Sequence, residues 1–76
     1  MKELLLYIAQ SLVDDPEAVT VTEREGDGET VFELCVAPGD MGKVIGRHGK
    51  IAKEIRTLMR SVAARQGKRI SVDIMD

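Results

Sequence analysis

The sequence predicts an α+β fold of order α-β-β-α-α-β, a three-stranded mixed sheet covered on one face by three helices. Three observations carry this expectation. Apolar residues recur at helical spacing near the N-terminus and again from Ile51 to Val62. They alternate with polar ones in three short runs, Val19 to Glu25, Thr30 to Ala37 and Arg69 to Met75. A two-glycine turn, Gly46-Arg47-His48-Gly49, divides the middle of the chain into two helices.

Taken in order, residues 2–13 form a helix with Leu5, Ile8, Ala9 and Leu12 on one face. Leu4, Leu6 and Val13 add more apolar surface than one buried stripe requires. Asp14-Asp15-Pro16 ends it. In the first strand Val19 and Val21 alternate with Thr20 and Thr22, and Gly26-Asp27-Gly28 supplies a hairpin turn. The second strand turns Phe32, Leu34 and Val36 to one side and Val31, Glu33 and Cys35 to the other, until Pro38-Gly39 stops it. Asp40 stands in N-cap position for a short helix carrying Met41, Val44 and Ile45. Beyond the turn, Ile51, Ile55, Leu58 and Val62 step by four, three and four residues, the expected core stripe of a longer helix. Ala52, Met59 and Ala63 form a second strip that suits ordinary packing or a dimer contact equally, and Glu54 is placed to pair with Lys50. Gly67 is the expected C′ residue. The closing strand turns Ile70, Val72 and Ile74 inward; the helical crossover before it allows it to lie parallel beside the strand carrying Phe32.

A chain of 76 residues has room for one small domain, 1–76, and no linker. Such a domain buries only about 60% of its unfolded surface, so its stability is expected to be modest. An apolar content of 43% is enough for a two-layer core. The single Cys35 excludes an internal disulfide and any multi-cysteine metal site, which suits a reducing cytoplasm. The apolar run at the N-terminus is broken by Gln10 and Ser11 and followed by two acids, so it reads as a helix rather than a leader. No stretch could span a membrane. A cytoplasmic protein is expected.

The net charge of −2 speaks against a polyanionic partner until its distribution is read. Residues 1–40 carry two basic and ten acidic side chains; residues 41–76 carry nine basic and three acidic. Between Lys43 and Arg69 the only acid is Glu54. The whole-chain sum therefore hides a basic face around the glycine turn, and the local field is what attracts a polyanion.

The turn itself points to phosphate. A helix beginning near Lys50 aims unpaired N–H groups and its positive end at the turn, where Arg47 and Lys50 add charge and His48 a ring donor. Gly46 supplies positive φ where the first helix ends, and Gly49 lets another backbone come close. A P-loop would need glycine at position 44 and a hydroxyl at 51, where the chain has Val44 and Ile51. A dinucleotide fingerprint also fails at Val44. A G-x-x-G clamp for a nucleic-acid backbone remains. No carboxylate cluster lies at the turn, no nucleophile stands beside a base, and His48 has no second ligand at metal-binding spacing, so no enzyme, metal or cofactor is expected.

Val44-Ile45-Gly46-Arg47-His48-Gly49-Lys50-Ile51 resembles the signature of the KH domain, a single-stranded RNA binder, with the signature region spanning roughly 40–56. The element order resembles the type II KH fold. Val19 to Glu25, Val36-Ala37-Pro38 and the ending from Ile70 to Asp76 extend the likeness over the whole chain, to the small bacterial proteins made of one KH domain and little else. The resemblance implies a chaperone-like or post-transcriptional regulatory role on RNA, self-association, and pairing with a larger partner that carries its own KH domain. It also implies a division of labour. Gly46 and Gly49 give the clamp its shape, Arg47 and Lys50 hold phosphate, and Lys43, His48 and Lys53 support them. An apolar groove for bases is expected between Val44, Ile45 and Ile51 or Ala52 on the helices and Ile70 and Val72 on the last strand. Lys53, Arg56 and Arg60 otherwise read as a solvated face. Only Tyr7 and Phe32 are aromatic and neither belongs to this groove, so stacking worth roughly 1–3 kcal/mol per base is missing and a single site should bind weakly. Two rival readings stand beside this one: a protein-interaction module using the excess apolar surface, and a binder of single-stranded DNA, whose backbone the clamp accepts equally.

Overall fold

The computed structural model describes residues 1–75. Helix α1 (Lys2–Leu12) leads into the hairpin of β1 (Thr20–Glu25) and β2 (Thr30–Cys35); α2 (Met41–Ile45) and α3 (Lys50–Arg65) follow, and β3 (Ile70–Met75) closes the sheet. The sheet order is β1-β2-β3. The hairpin is antiparallel, with Val21 opposite Leu34, and the outer pair is parallel, with Phe32 beside Val72 and Leu34 beside Ile74. Two helices between β2 and β3 return the chain to the end of the sheet where β2 began, which is what a parallel neighbour requires. The α-β-β-α-α-β order and mixed sheet are those of a type II KH fold. Strand β2 stops at Cys35, two residues short of the expected Ala37, because Val36-Ala37 already leads into a 3-10 turn at Pro38–Asp40.

The core lies between the sheet and the helices. Leu5 and Ala9 from α1 meet Val21, Phe32, Leu34, Ile70 and Val72 from the sheet and Ile55, Met59 and Ala63 from α3. On α3 the buried residues are Ala52, Ile55, Met59 and Ala63. This corrects the stripe expected from the sequence: Ile55 is shared, but Leu58 is 47% exposed and Ile51 and Val62 are only half-buried. Alanines at 52 and 63 let the helix axis lie close to the sheet, and Met59 fills the space left between them. Leu12 and Tyr7 on α1 are likewise exposed.

Asp40 departs from its expected role in an informative way. It occupies the N-cap position of α2, yet its carboxylate makes no cap bond. The preceding 3-10 turn already supplies Pro38 O to the Met41 N–H. The carboxylate instead accepts the N–H of Asp14 at 3.3 Å and that of Asp15 at 3.0 Å. Those two groups lie just past the end of α1, and Asp40, only 4% exposed, is the one buried charged residue among those described. Lys43 Nζ reaches Asp14 Oδ2 at 3.3 Å across the same junction. The exit of α1 is thus tied to the start of α2, close to the glycine turn.

Candidate nucleic-acid interface

Gly46 ends α2 with φ 78° and ψ 174°, a conformation that essentially only glycine adopts. Its N–H bonds to Gly42 O at 2.9 Å. A 3-10 turn at Arg47–Gly49 follows, in which the Gly49 N–H reaches Gly46 O at 3.2 Å and the Lys50 N–H reaches Arg47 O. His48 sits in the left-handed region at φ 58°, ψ 24°, a cost of about 1 kcal/mol for a residue with a Cβ. Gly49, at φ 72°, ψ 14°, opens α3.

The two glycines divide their work differently from the sequence expectation. The close approach belongs to Gly46, where an added Cβ would lie 2.5 Å from Ile51 Cγ1. At Gly49 an added Cβ meets nothing of the chain within 4 Å. Gly46 lets α2 and α3 pack against each other; Gly49 leaves open space outside the turn.

Arg47, His48, Lys50 and Lys53 cluster around the start of α3, whose N-terminus no side chain caps. Sixteen residues of helix aim their positive end at this point. Glu54 forms no ion pair with Lys50 or any other described residue, contrary to expectation, and stands beside His48, Lys50 and Lys53 as the one acid among them. Lys43 is held toward Asp14, but an exposed pair of this kind is worth little, and its amine remains exchangeable. His48, Lys50 and Lys53 line an open hollow of about 710 Å³ together with Glu54, Thr57, Leu58 and Ser61 on the outer side of α3.

The apolar groove is the part the sequence placed least well. Val44, Ile70 and Val72 are buried, so their side chains hold the site's elements together and offer no face to a base. The inward alternation that marked Ile70 and Val72 also puts them under the helices. Ile45 and Ile51 are half-buried and supply the apolar surface beside the turn. Val72 contributes its carbonyl instead, which accepts Arg56 Nε at 3.1 Å. Arg56, expected on a solvated face, is half-buried and bridges α3 to the outer strand. Among the described residues no group of His, Cys, Asp and Glu could hold a metal ion.

Residues 2–74 match the family model described as KhpA/KhpB, KH domain. The chain belongs to the KhpA/KhpB KH-domain family. Its relatives include the RNA-binding protein KhpA of Clostridium acetobutylicum, 52% identical over 99% of this chain and 100% of that protein. The RNA-binding protein KhpA of Chlamydia trachomatis is 49% identical over 100% of this chain and 97% of that protein. The chain also superposes on part of Era from Aquifex aeolicus bound to GDP and aluminium fluoride, with TM-score 0.66 and 22% identity, covering 96% of this chain and 28% of that one. Era in complex with MgGDPNP and nucleotides 1506–1542 of 16S ribosomal RNA aligns with the same figures, TM-score 0.66 and 22% identity over 96% of this chain and 28% of that one. At that identity the likeness concerns the fold alone. A KH domain is a binding module, and the chain is not an enzyme.

Proposed function

We propose that the chain is a single-stranded RNA-binding protein, one KH domain over 1–76, that acts in the cytoplasm as an RNA chaperone or post-transcriptional regulator. One observation carries the reading. The Gly46–Gly49 turn presents the uncapped start of α3, flanked by Arg47 and Lys50, beside open space at Gly49. Backbone phosphate fits there, and the relatives' name, RNA-binding protein KhpA, supports RNA as the polymer. Gly46 and Gly49 shape the clamp, Arg47 and Lys50 hold phosphate, His48, Lys43 and Lys53 add local charge, and Ile45 and Ile51 offer apolar contact to a base. With no aromatic platform, affinity is low for one copy. A second KH domain, from a homodimer or from the larger KhpB, raises it through effective concentration.

The test is fluorescence anisotropy on labelled single-stranded RNA with the native chain and the Arg47→Asp/His48→Asp variant, with circular dichroism to check folding. Native binding falls with salt at a log–log slope of about −0.7 per phosphate engaged, and the folded variant loses most of it. Equal binding by both proteins removes the clamp reading. A matched DNA strand in the same assay decides between the two polymers. The exposed Leu58 and Leu12, which flank a shallow groove with the half-buried Ile8 and Ile51, favour the second reading, a protein-docking surface. Leu12→Gln then abolishes self-association while leaving RNA binding to one copy intact.

A further inference from the structure

His48 is the one histidine of the chain and, among the described residues, the one residue other than glycine with positive φ. It is exposed, and among the described residues it forms no ion pair. The turn that carries it packs mainly against α2 and α3. The charged groups of those segments nearest to it in sequence are Lys43 on α2 and Lys50, Lys53 and Glu54 on α3, with Arg47 beside it in the turn. Asp40, at the start of α2, is engaged by the N–H groups of Asp14 and Asp15, and Asp14 pairs with Lys43. The N-terminal amine of Met1, the other kind of group that ordinarily titrates near neutrality, stands by a cleft that no residue of the turn lines.

Arginine and lysine ordinarily keep their charge through the neutral range, and carboxylates titrate well below it; an imidazole gains or loses its proton between about pH 5 and 8. Histidine, like asparagine, tolerates the left-handed backbone better than most side chains. That tolerance accounts for a histidine at position 48 but not for its place in the hollow lined by Lys50 and Lys53, beside the uncapped start of α3. A proton on His48 adds positive charge to a cluster whose one acid is Glu54. Like charges oppose that proton and a phosphate favours it. Phosphate at the turn and a proton on His48 therefore strengthen each other, by the same factor in either direction.

We propose that His48 makes the grip on RNA proton-linked: a backbone phosphate seats at the Gly46–Gly49 turn with uptake of up to one proton by the imidazole, and the turn holds RNA more weakly as pH rises through neutrality. The inference rests on the RNA-binding reading above and adds a regulation to that same site. The proton comes from solvent onto the free ring nitrogen, the phosphodiester keeps its single negative charge, and no bond in the RNA forms or breaks. The bound state carries more protons than the free one, so affinity falls with rising pH. The loss is confined to the range in which the ring changes charge.

The experiment follows the anisotropy of a labelled oligouridine of about twelve nucleotides from about pH 6 to about pH 8 at constant ionic strength; uracil takes up no proton in that range. The chains compared are the native one, His48→Asn, which tolerates the same backbone but carries no charge, and His48→Lys, whose charge is permanent. Circular dichroism checks that each is folded. Native affinity falls on the order of fivefold across the range, as a charge-assisted contact becomes a neutral one. His48→Asn is flat at the level the native chain reaches at the alkaline end, and His48→Lys is flat above it. With a single histidine in the chain, the imidazole C–H signals in the proton spectrum belong to His48. At about pH 7 RNA moves them toward their position in acid, a reading that needs no variant. Native affinity equal at both ends of the range refutes the linkage and leaves the clamp standing. A pH dependence that persists in His48→Asn does the same. A folded His48→Asn that binds RNA at no pH, while the native chain binds, assigns the ring a role in shape and also refutes the linkage. If the native chain binds RNA at no pH, the RNA-binding reading falls and takes the linkage with it.

Discussion

Gly46 and Ile51 are in such close contact that a β-carbon at position 46 would fall 2.5 Å from Ile51 Cγ1 and 2.8 Å from its Cβ. The Cβ of Ile51 is fixed by its own backbone, so a side chain at position 46 would have to push α2 and α3 apart. Backbone strain and overpacking together make Gly46→Ala cost on the order of 2–5 kcal/mol. Gly49→Ala, with open space around it, costs about 1 kcal/mol. Urea midpoints should fall in the order native, Gly49→Ala, Gly46→Ala. Equal midpoints for the two variants would remove the distinction between the glycines.

Asp40 offers a second measurable link. Asp40→Ala leaves the N–H groups of Asp14 and Asp15 without their acceptor and should cost about 2–3 kcal/mol, with Asp40→Asn intermediate. Amide exchange at Asp14 and Asp15 should speed up more in the alanine variant than exchange at the centre of α3. Unchanged protection at those two amides would show that the carboxylate does not hold the junction.

The phase of α3 can be read from two adjacent residues. Leu58 is 47% exposed and Met59 fully buried. Leu58→Lys should change the stability of the monomer by less than about 0.5 kcal/mol, whereas Met59→Ala should cost about 2–5 kcal/mol. Chemical denaturation of the two variants checks this, and a reversed order would restore the stripe through Leu58.

Arg56 should matter through geometry as well as charge. Losing its bond to Val72 O costs about 1 kcal/mol, which for a domain of this size lowers the thermal midpoint by about 4–8 °C. Arg56→Lys should recover little of it, since an ammonium on a flexible stem does not reproduce the planar fork. A midpoint at the native value for Arg56→Lys would show that only the positive charge is needed.

Much of the molecule was legible because local physics carries it. Alternation marked all three strands to within two residues, and Gly26-Asp27-Gly28 marked the hairpin. The two glycines and the helix starting at Lys50 located the turn, and the segregation of charge located its basic surroundings. Each of these signals depends on neighbours in sequence: a preferred φ, a period, a helix end.

The rest depended on which surfaces meet. Periodicity shows that α3 has an apolar side but leaves its rotation free by about one residue. Ranking residues by hydrophobicity chose Leu58, whereas close packing on the sheet chose Ala52, Met59 and Ala63. Asp40 was readable as a cap, yet its partners lie 25 and 26 residues earlier in the chain. The bond from Arg56 to Val72 O and the convergence of Arg60 and Arg69 on one cleft likewise join segments that only the crossover brings together. By itself the sequence determined the order of elements, the glycine turn and the sign of the charge around it. Tertiary structure decided which apolar residues are spent on the core and which cations converge, because burial and convergence are properties of surfaces in contact and no single segment contains them.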